Sequence, residues 1–215
     1  MVGTILSFRE MVHWTQASYH HICTGSIYRT YRRKMRIGDY FIQWWRMRVA
    51  AQWIQEGSRI LDIGCHQGEF FKMLGPKISP SVGLDPLYRG NMKEGGHELL
   101  SQEFRPGLAL DNGSFDAIVL LATIEHIQEK SMIAQESKRL LRKNGRVVIT
   151  VPSLLVDKIL SVLLYMGLID GMSLEEHHGF APDELLAIFV PEGFRLKQKQ
   201  KFQLGLNNLY VFERT

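Results

Sequence analysis

Cysteine is scarce in this sequence, since Cys23 and Cys65 are the only two among its 215 residues. Two cysteines do not form the disulfide framework of a small secreted domain, so we expect a reducing, cytoplasmic compartment. Long apolar runs are also missing, because the nearest candidate, Ile159–Ile169, is too short to span a bilayer. We expect no secretory signal peptide, because polar and charged residues interrupt the first apolar stretch, namely Arg9, Glu10, His13 and Gln16.

Positive charge is concentrated in the first quarter of the chain. Residues 1–57 contain eight Lys and Arg residues against three Asp and Glu residues, whereas the remainder carries a net charge of −1. This basic segment is suited to phosphate or to peripheral contact with an anionic membrane surface, and equally to a solvated helix face. No ordered base-stacking motif accompanies it, so we expect no nucleic-acid partner.

The chain divides by pattern into an N-terminal helical extension, residues 1–57, and a second region, residues 58–215. In the extension, apolar residues at helical spacing predict a helix that Asp39 caps, that runs to Gln55 and that Gly57 ends. From Ser58 onward, short apolar runs alternate with helical patterns, which is typical of a parallel sheet covered on both faces. The predicted strands are Arg59–Gly64, Ser81–Asp85, Phe115–Leu121 and Arg146–Val151, and the predicted helices are Phe70–Leu74 and Gln128–Lys143, the latter stopped by Asn144-Gly145.

The last third of the chain has a different pattern. Leu154–Met166 is a strongly apolar helix candidate and Pro182–Phe189 a short helix opened by its proline, within a helical insert of about residues 153–190. Phe194–Phe202 and Leu206–Phe212 predict two closing strands that pair antiparallel around Gly205. Core packing, a homodimer contact and a lid over a ligand would each explain the apolar and aromatic helices at the two ends of the chain.

The strongest motif is the segment Asp62-Ile63-Gly64-Cys65-His66-Gln67-Gly68, which follows a predicted strand and opens a helix. Glycine permits both a tight turn and the close approach of a ligand, and the amides at the start of the helix point at that ligand. An ordinary strand–helix turn would also explain the loop. Asp85 adds to it, because it ends the next strand 21 residues after Gly64, where a carboxylate can accept both hydroxyl hydrogens of a ribose.

A third pattern places polar residues at the end of another apolar strand. The turn Asp111–Asp116 leads into Phe115–Leu121, and the strand is followed by Ile124-Glu125-His126. Because ligands of open α/β sheets bind at the carboxyl ends of the strands, Glu125 and His126 lie at the right edge for a substrate pocket.

Four segments in order carry a specific family resemblance: ILDIGCHQG, VGLD, LALDNGSFDAIVLLATIEHI and RLLRKNGRVVITVPS. Together they cover roughly residues 58–152 and resemble the motifs of class I S-adenosylmethionine-dependent methyltransferases of the small-molecule and lipid type. The resemblance implies a Rossmann-like α/β fold, with a seven-stranded, mostly parallel sheet, an antiparallel last strand, helices on both faces and extra N-terminal helices. It also implies S-adenosyl-L-methionine as cofactor, S-adenosyl-L-homocysteine as product, and a small-molecule or lipid-linked acceptor.

The resemblance further implies which residues contact the cofactor. The glycine loop would line the methionine and ribose side, the end of the second strand would hold the ribose hydroxyls and flank the adenine, and the later apolar strand would lie under the sulfonium. The residues so implied are Asp62, Gly64, Cys65 and His66 (both through their backbone), Gly68, Asp85, Pro86, Leu87, Leu120 and Leu121.

Two positions depart from the family pattern. His66 stands where the family commonly has glycine, so that its side chain must fit without a positive φ or the loop must shift. Phe104 stands where the family commonly has an acidic residue that contacts the adenine amino group. Either the neighbouring Glu103 takes that role, or stacking and backbone contacts hold the adenine.

Histidines are the candidates for a base that would assist a hydroxyl acceptor. His126 is the first candidate, because histidine titrates near neutral pH, and His177 and His178 are the second. His126 would alternatively bond only to the backbone at a helix start, and the other two would belong to a structural loop. We expect no metal at Glu175-Glu176-His177-His178, because no third ligand is evident and adjacent residues rarely share one ion.

Two other functions compete with methyl transfer. An NAD-dependent oxidoreductase would also use a glycine loop and an acidic residue, but its G-x-G-x-x-G spacing is missing, since Gly64 and Gly68 bracket Cys-His-Gln. A non-catalytic module that keeps the fold and the cofactor is the second alternative, suggested by His66 and Phe104.

Overall fold

The computed structural model describes residues 37–88, 92–127, 129–153 and 183–215. The predictions for the basic segment up to residue 36, for Leu154–Met166 and for His177 and His178 lie outside the described residues. The helices are α1 (Ile37–Ala51), α2 (Glu69–Leu74), α3 (Lys130–Leu140) and α4 (Glu184–Phe189). The strands are β1 (Ile60–Ile63), β2 (Val82–Leu84), β3 (Met92–Glu94), β4 (His97–Leu100), β5 (Phe115–Leu121), β6 (Leu141–Pro152), β7 (Phe194–Phe202) and β8 (Asn207–Arg214).

The strands form one sheet in the order β3-β4-β2-β1-β5-β6-β8-β7. Strands β4, β2, β1, β5 and β6 are parallel, and β8 lies antiparallel between β6 and β7. Without the short β3, which pairs antiparallel with β4 at the edge, this is the predicted seven-stranded sheet with its antiparallel last strand. The β3–β4 hairpin was not predicted from the sequence.

The sheet is buried on both faces. Side chains of β5 alternate between two apolar clusters: Ile118 and Leu120 join α3 and α4 on one face, and Val119 joins α1 and α2 on the other. Because both faces are covered, β5 is apolar along nearly its whole length. The carboxyl ends of β1, β2 and β5 are therefore held at one fixed edge. No helix among the described residues is long and apolar enough to cross a membrane.

Several predicted helix boundaries are wrong. α1 ends at Ala51 and not near Gly57, and Asp39 lies within its first turn instead of capping it. α3 ends at Leu140, and the residues expected to complete its last turn already belong to β6. Pairing of β6 with β5 outweighs the local helix preference there. Phe115 pairs with Leu141 and Ala117 pairs with Arg146, so the additional residues of β6 between these two pairs form a bulge.

The β6 bulge requires a left-handed residue at Asn144, whose φ is +63°. We expect Asn144→Val to lower the free energy of unfolding by about 1–3 kcal/mol, because a β-branched residue strongly disfavours this conformation. Asn144→Gly is the matched control and should leave stability unchanged or slightly higher. Urea denaturation measures both, and an equal loss in the two variants would contradict the role of backbone conformation.

Candidate functional site

The loops that follow β1 and β2 meet at the carboxyl edge of the sheet. The amides of Gly64 and Cys65 both donate to the carbonyl oxygen of Leu84, at 2.8 and 3.2 Å. The loop then closes on itself, since the Gly68 amide donates to the Cys65 carbonyl at 2.8 Å. Gly64 and Gly68 have φ values of +79° and +73°, a conformation that glycine adopts without steric cost. The predicted glycine turn is therefore present and is fixed to the neighbouring strand.

His66 adopts a positive φ of +48°, so the first of the two predicted alternatives, a side chain that fits without a positive φ, is wrong. Two contacts hold the residue in this conformation: its amide donates to Asp85 Oδ2 at 2.9 Å, and its Nδ1 lies 2.7 Å from Glu69 Oε1. Although desolvation opposes protonation, the hydrogen bond to Glu69 and the charges of Glu69 and Asp85 raise the pKa of His66. The ring contacts Glu69, and the contact of the His66 backbone with the cofactor, which the resemblance implies, stays a prediction.

Asp85 connects the two loops through its carboxylate. Oδ2 accepts from the His66 amide, and Oδ1 accepts from the Leu87 amide at 2.8 Å. Each carboxylate oxygen has a second lone pair, so the group can still accept two hydroxyl hydrogens. The side chain is oriented before any ligand arrives, which suits the predicted ribose contact.

Three carboxylates surround the glycine loop. Asp62, in β1, is buried, and this burial together with the charges of Glu69 and Asp85 raises its pKa to about 8. Glu69 begins α2, is also buried, and accepts from the Gln67 amide at 3.0 Å. The three carboxylates favour a cation beside the glycine loop, at the carboxyl edge of the sheet that we call the cleft, because a nearby positive charge stabilises the ionised carboxylates. Glu69 was not predicted, although its place in the first turn of a helix is a detectable signal.

Thr123, just beyond β5, closes the third side of the loop. A Cβ built on Gly64 would lie 2.5 Å from Thr123 Oγ1, so the side chain of Thr123 packs directly against the backbone of Gly64 and leaves no room for a larger residue there. Ala122 makes the turn with a φ of +54°, and its amide donates to the Thr150 carbonyl at 2.9 Å. The contact joins residues far apart in the sequence, which is why sequence reasoning missed Thr123.

The remaining predicted cofactor residues differ in their exposure. Cys65 is buried, and its side chain packs against β2, since a Cβ on Gly83 would lie 2.6 Å from its Sγ. Pro86 and Leu87 are exposed beside Asp85, with Leu87 71% exposed, so both are accessible to a flat ring. Phe104 and Leu120 are buried in the apolar cluster on the α3 face, Glu103 is exposed, and Leu121 is partly buried against the opposite cluster.

The candidate base and its neighbour lie in the turn Ile124–His126 after β5. His126 is exposed and its amide donates to the Thr123 carbonyl at 3.1 Å, whereas Glu125 is buried. Burial lowers the pKa of Arg46 of α1, and the negative charge of Glu125 opposes this effect. Within the described ranges, no group of His, Cys, Asp and Glu side chains could hold a metal ion.

We expect Gly64→Ala to destabilise the protein more than Gly57→Ala. Both glycines have nearly the same φ, +79° and +77°, but only Gly64 faces another residue, since nothing lies within 4 Å of a Cβ on Gly57. In both variants the free energy of unfolding should fall by about 1–3 kcal/mol, because alanine is strained at a positive φ. In Gly64→Ala it should fall by about 1–3 kcal/mol more, because the new methyl group collides with Thr123. Thr123→Ala should recover part of the second loss in thermal or urea unfolding. Equal losses in the two single variants would show that the close approach is unimportant.

Comparison with known proteins agrees with this geometry. Ubiquinone biosynthesis O-methyltransferase of Mus musculus, a mitochondrial protein, is 26% identical over 160 residues, which are 66% of this chain and 42% of that protein. The enzyme of the same name from Xanthomonas oryzae is 27% identical over 111 residues, 47% of this chain and 46% of the relative. The chain therefore spans less than half the length of these relatives.

A crystal structure of a SAM-dependent methyltransferase from Archaeoglobus fulgidus has the same fold. Its TM-score is 0.62 at 16% identity, with 81% of this chain and 94% of that chain aligned. The sequence profile of the methyltransferase domain family matches residues 31–198, which include the glycine loop, Asp85 and the turn after β5. The chain belongs to the methyltransferase domain family.

Proposed function

We propose that this protein transfers a methyl group from S-adenosyl-L-methionine to a small-molecule or lipid-linked acceptor. The observation that carries the proposal is the group of Asp62, Glu69 and Asp85 around a glycine turn at the carboxyl edge of the sheet. An adenosyl nucleoside with a ribose diol and an attached ammonium group matches this set, because the diol donates hydrogen bonds and the ammonium carries positive charge.

Each part of the site has a defined task in the proposal. Asp85 accepts the ribose hydroxyls, Asp62 and Glu69 balance the positive charge of the amino acid end, and Pro86 and Leu87 flank the adenine. When bound there, the cofactor supplies a methyl carbon already activated by its sulfonium. The protein contributes alignment and exclusion of water at the ends of β1 and β5.

The acceptor side lies beyond Thr123, where the turn Ile124–His126 faces the cleft edge. The imidazole of His126 is our candidate for receiving the acceptor's proton, because it is exposed in that turn and a neutral ring nitrogen accepts a proton. The names of the relatives, which are O-methyltransferases of ubiquinone biosynthesis, support an oxygen acceptor. From the composition we also propose a cytoplasmic location and contact of the basic N-terminal segment with an anionic membrane surface.

Calorimetric titration with S-adenosylhomocysteine and, in parallel, with NADH tests the cofactor. We expect binding of the first and none of the second, and the reverse would favour an oxidoreductase. Transfer of a labelled methyl group to a panel of phenols, amines and carboxylic acids tests the reaction. Tight cofactor binding with no transfer to any compound would favour the non-catalytic module.

We expect Asp85→Ala to weaken S-adenosylhomocysteine binding by about 1–3 kcal/mol, because charge-assisted hydrogen bonds to the ribose are lost. Asp85→Asn should lose less, since its amide oxygen still accepts. The control is Asp111→Ala, at an exposed carboxylate in the turn before β5. Calorimetry gives all three affinities, and wild-type affinity in a folded Asp85→Ala protein would contradict the ribose role.

Proton linkage provides a second prediction, because the pKa of Asp62 is raised to about 8 in the free protein. Asp62 therefore retains its proton at pH 7, and a bound ammonium group favours its release. We expect affinity for the cofactor to rise with pH up to about 8 in the wild type. Calorimetry in buffers of different ionisation enthalpy measures the protons that the protein releases on binding. Asp62→Asn should show neither this proton release nor the rise in affinity with pH.

The same pKa fixes the sign of the stability change. The folded value of Asp62 exceeds the unfolded one, so between pH 4 and pH 8 the folded state binds more protons and loses stability as pH rises. Asp62→Asn should therefore raise the unfolding temperature of the ligand-free protein most at pH 8. His66→Gln serves as the control for the neighbouring titration, and an unchanged pH slope in Asp62→Asn would contradict the assignment.

A further inference from the structure

Four buried polar atoms under α1 have no hydrogen-bond partner in the part of the chain that the structure describes. They are Gln43 Oε1, Arg46 Nε, Thr150 Oγ1 and Asn207 Oδ1. Nearly all buried polar atoms of folded proteins are paired, because an unpaired one loses its bond to water without replacement. Four such atoms in one region require an explanation, and the proposed cofactor contacts do not use any of them.

The four residues come from three elements that meet at the carboxyl edge of β5 and β6. Gln43 and Arg46 lie three residues apart on α1 and so share a face. Thr150 of β6 pairs with Leu121 of β5, and Asn207 begins β8 opposite the end of β6. Side chains two residues apart in a strand lie on the same face of the sheet. Thr150 therefore shares a face with Val148, and Asn207 shares one with Leu209. Both Val148 and Leu209 belong to the cluster that packs against α1.

A chain of hydrogen bonds ties α1 to the start of β8. Asn207 Nδ2 donates to Gln203 Oε1 at 2.5 Å, and Gln203 Nε2 donates to the Ile42 carbonyl at 2.6 Å. The amide half of Asn207 is thus engaged and its carbonyl oxygen is directed elsewhere. Asn207 Oδ1 is therefore an acceptor atom that is buried on the α1 side of the sheet and has no partner among the described residues.

This polar region adjoins the cleft described above. The main-chain carbonyl of Thr150 accepts from the Ala122 amide, and Thr123, which follows Ala122, packs against Gly64. The polar region is therefore connected through Ala122 and Thr123 to the loop to which we assign the cofactor. Burial lowers the pKa of Arg46 and the charge of Glu125 opposes this effect, so a carboxylate already balances the guanidinium.

We infer that Gln43, Arg46, Thr150 and Asn207 form the polar end of the acceptor site, and that this site takes an uncharged molecule bearing hydroxyl groups. The inference rests on the proposed function. The two amide oxygens need hydrogen-bond donors and Arg46 Nε needs an acceptor, and a hydroxyl group supplies both. A carboxylate or phosphate would place negative charge against those oxygens and Glu125, and an ammonium group would leave Arg46 unsatisfied.

Binding of catechol, with benzoate and benzylamine as charged counterparts, tests the inference. Each compound is titrated calorimetrically into the protein with and without S-adenosylhomocysteine, so that failure of cofactor binding is observed separately from failure of the acceptor site. We expect catechol to bind and the two charged compounds to bind more weakly. Absence of catechol binding in both states, or a preference for benzoate or benzylamine, would overturn the inference.

Substitutions then locate the binding. Gln43→Met, Asn207→Leu and the near-isosteric Thr150→Val should each weaken catechol about 3- to 10-fold, the effect of one hydrogen bond, while S-adenosylhomocysteine affinity stays unchanged. Thr150→Val keeps the shape of the side chain. If Gln43→Met or Asn207→Leu fails to fold, the catechol affinity of Thr150→Val still tests the inference.

A matched control separates binding from packing. Ser137 carries another buried hydroxyl without a partner, but it lies on α3. Ser137→Ala should leave catechol affinity at the wild-type value, although removing an unsatisfied buried group raises the unfolding temperature there as in the α1 region. If the α1-region variants leave catechol affinity unchanged, as Ser137→Ala does, the polar atoms do not contact the acceptor and the inference is wrong.

Discussion

The Asp85 carboxylate holds the candidate site together, because one side chain receives the backbone amides of two different loops. His66 can keep a left-handed backbone conformation only while those contacts and its bond to Glu69 persist. Strain of this kind costs about 1–3 kcal/mol and survives where the surroundings impose it. The turn that the ligand would approach is thus fixed by a residue that would also contact the ligand.

Electrostatics at the same edge oppose stability and favour binding. Asp62, Glu69 and Asp85 crowd negative charge into a buried region, and the pKa of Asp62 rises in response. The mutual repulsion and burial of these carboxylates are unfavourable, and they oppose the stability that Asp85 and Glu69 provide through their hydrogen bonds to backbone amides. The arrangement becomes favourable once a positively charged ligand occupies the cleft, which is the pattern expected of a site and not of a core.

The sequence was sufficient for elements whose pattern is local. β1, β2 and β5 are short apolar runs between turn residues, and Asp62, Gly64 and Asp85 occupy the ends of those runs, so both the sheet and the loop could be predicted. The end of α3 could not be predicted, because pairing across the sheet decides where β6 begins. Thr123 and the polar side chains under α1 were missed for the same reason, since their neighbours lie far away along the chain.

The position of β8 has a consequence for how the molecule assembles. This strand lies between β6 and β7, although β7 precedes it in the chain. During synthesis β6 therefore emerges long before its permanent neighbour, and its apolar edge stays open until residues 207–214 insert. Contacts of such long range are slow to form. Because Asn207 starts β8, the polar region beneath α1 is complete only after β8 has inserted. A ribosome-bound chain that lacks β8 would expose the edge of β6 to chaperones or to aggregation.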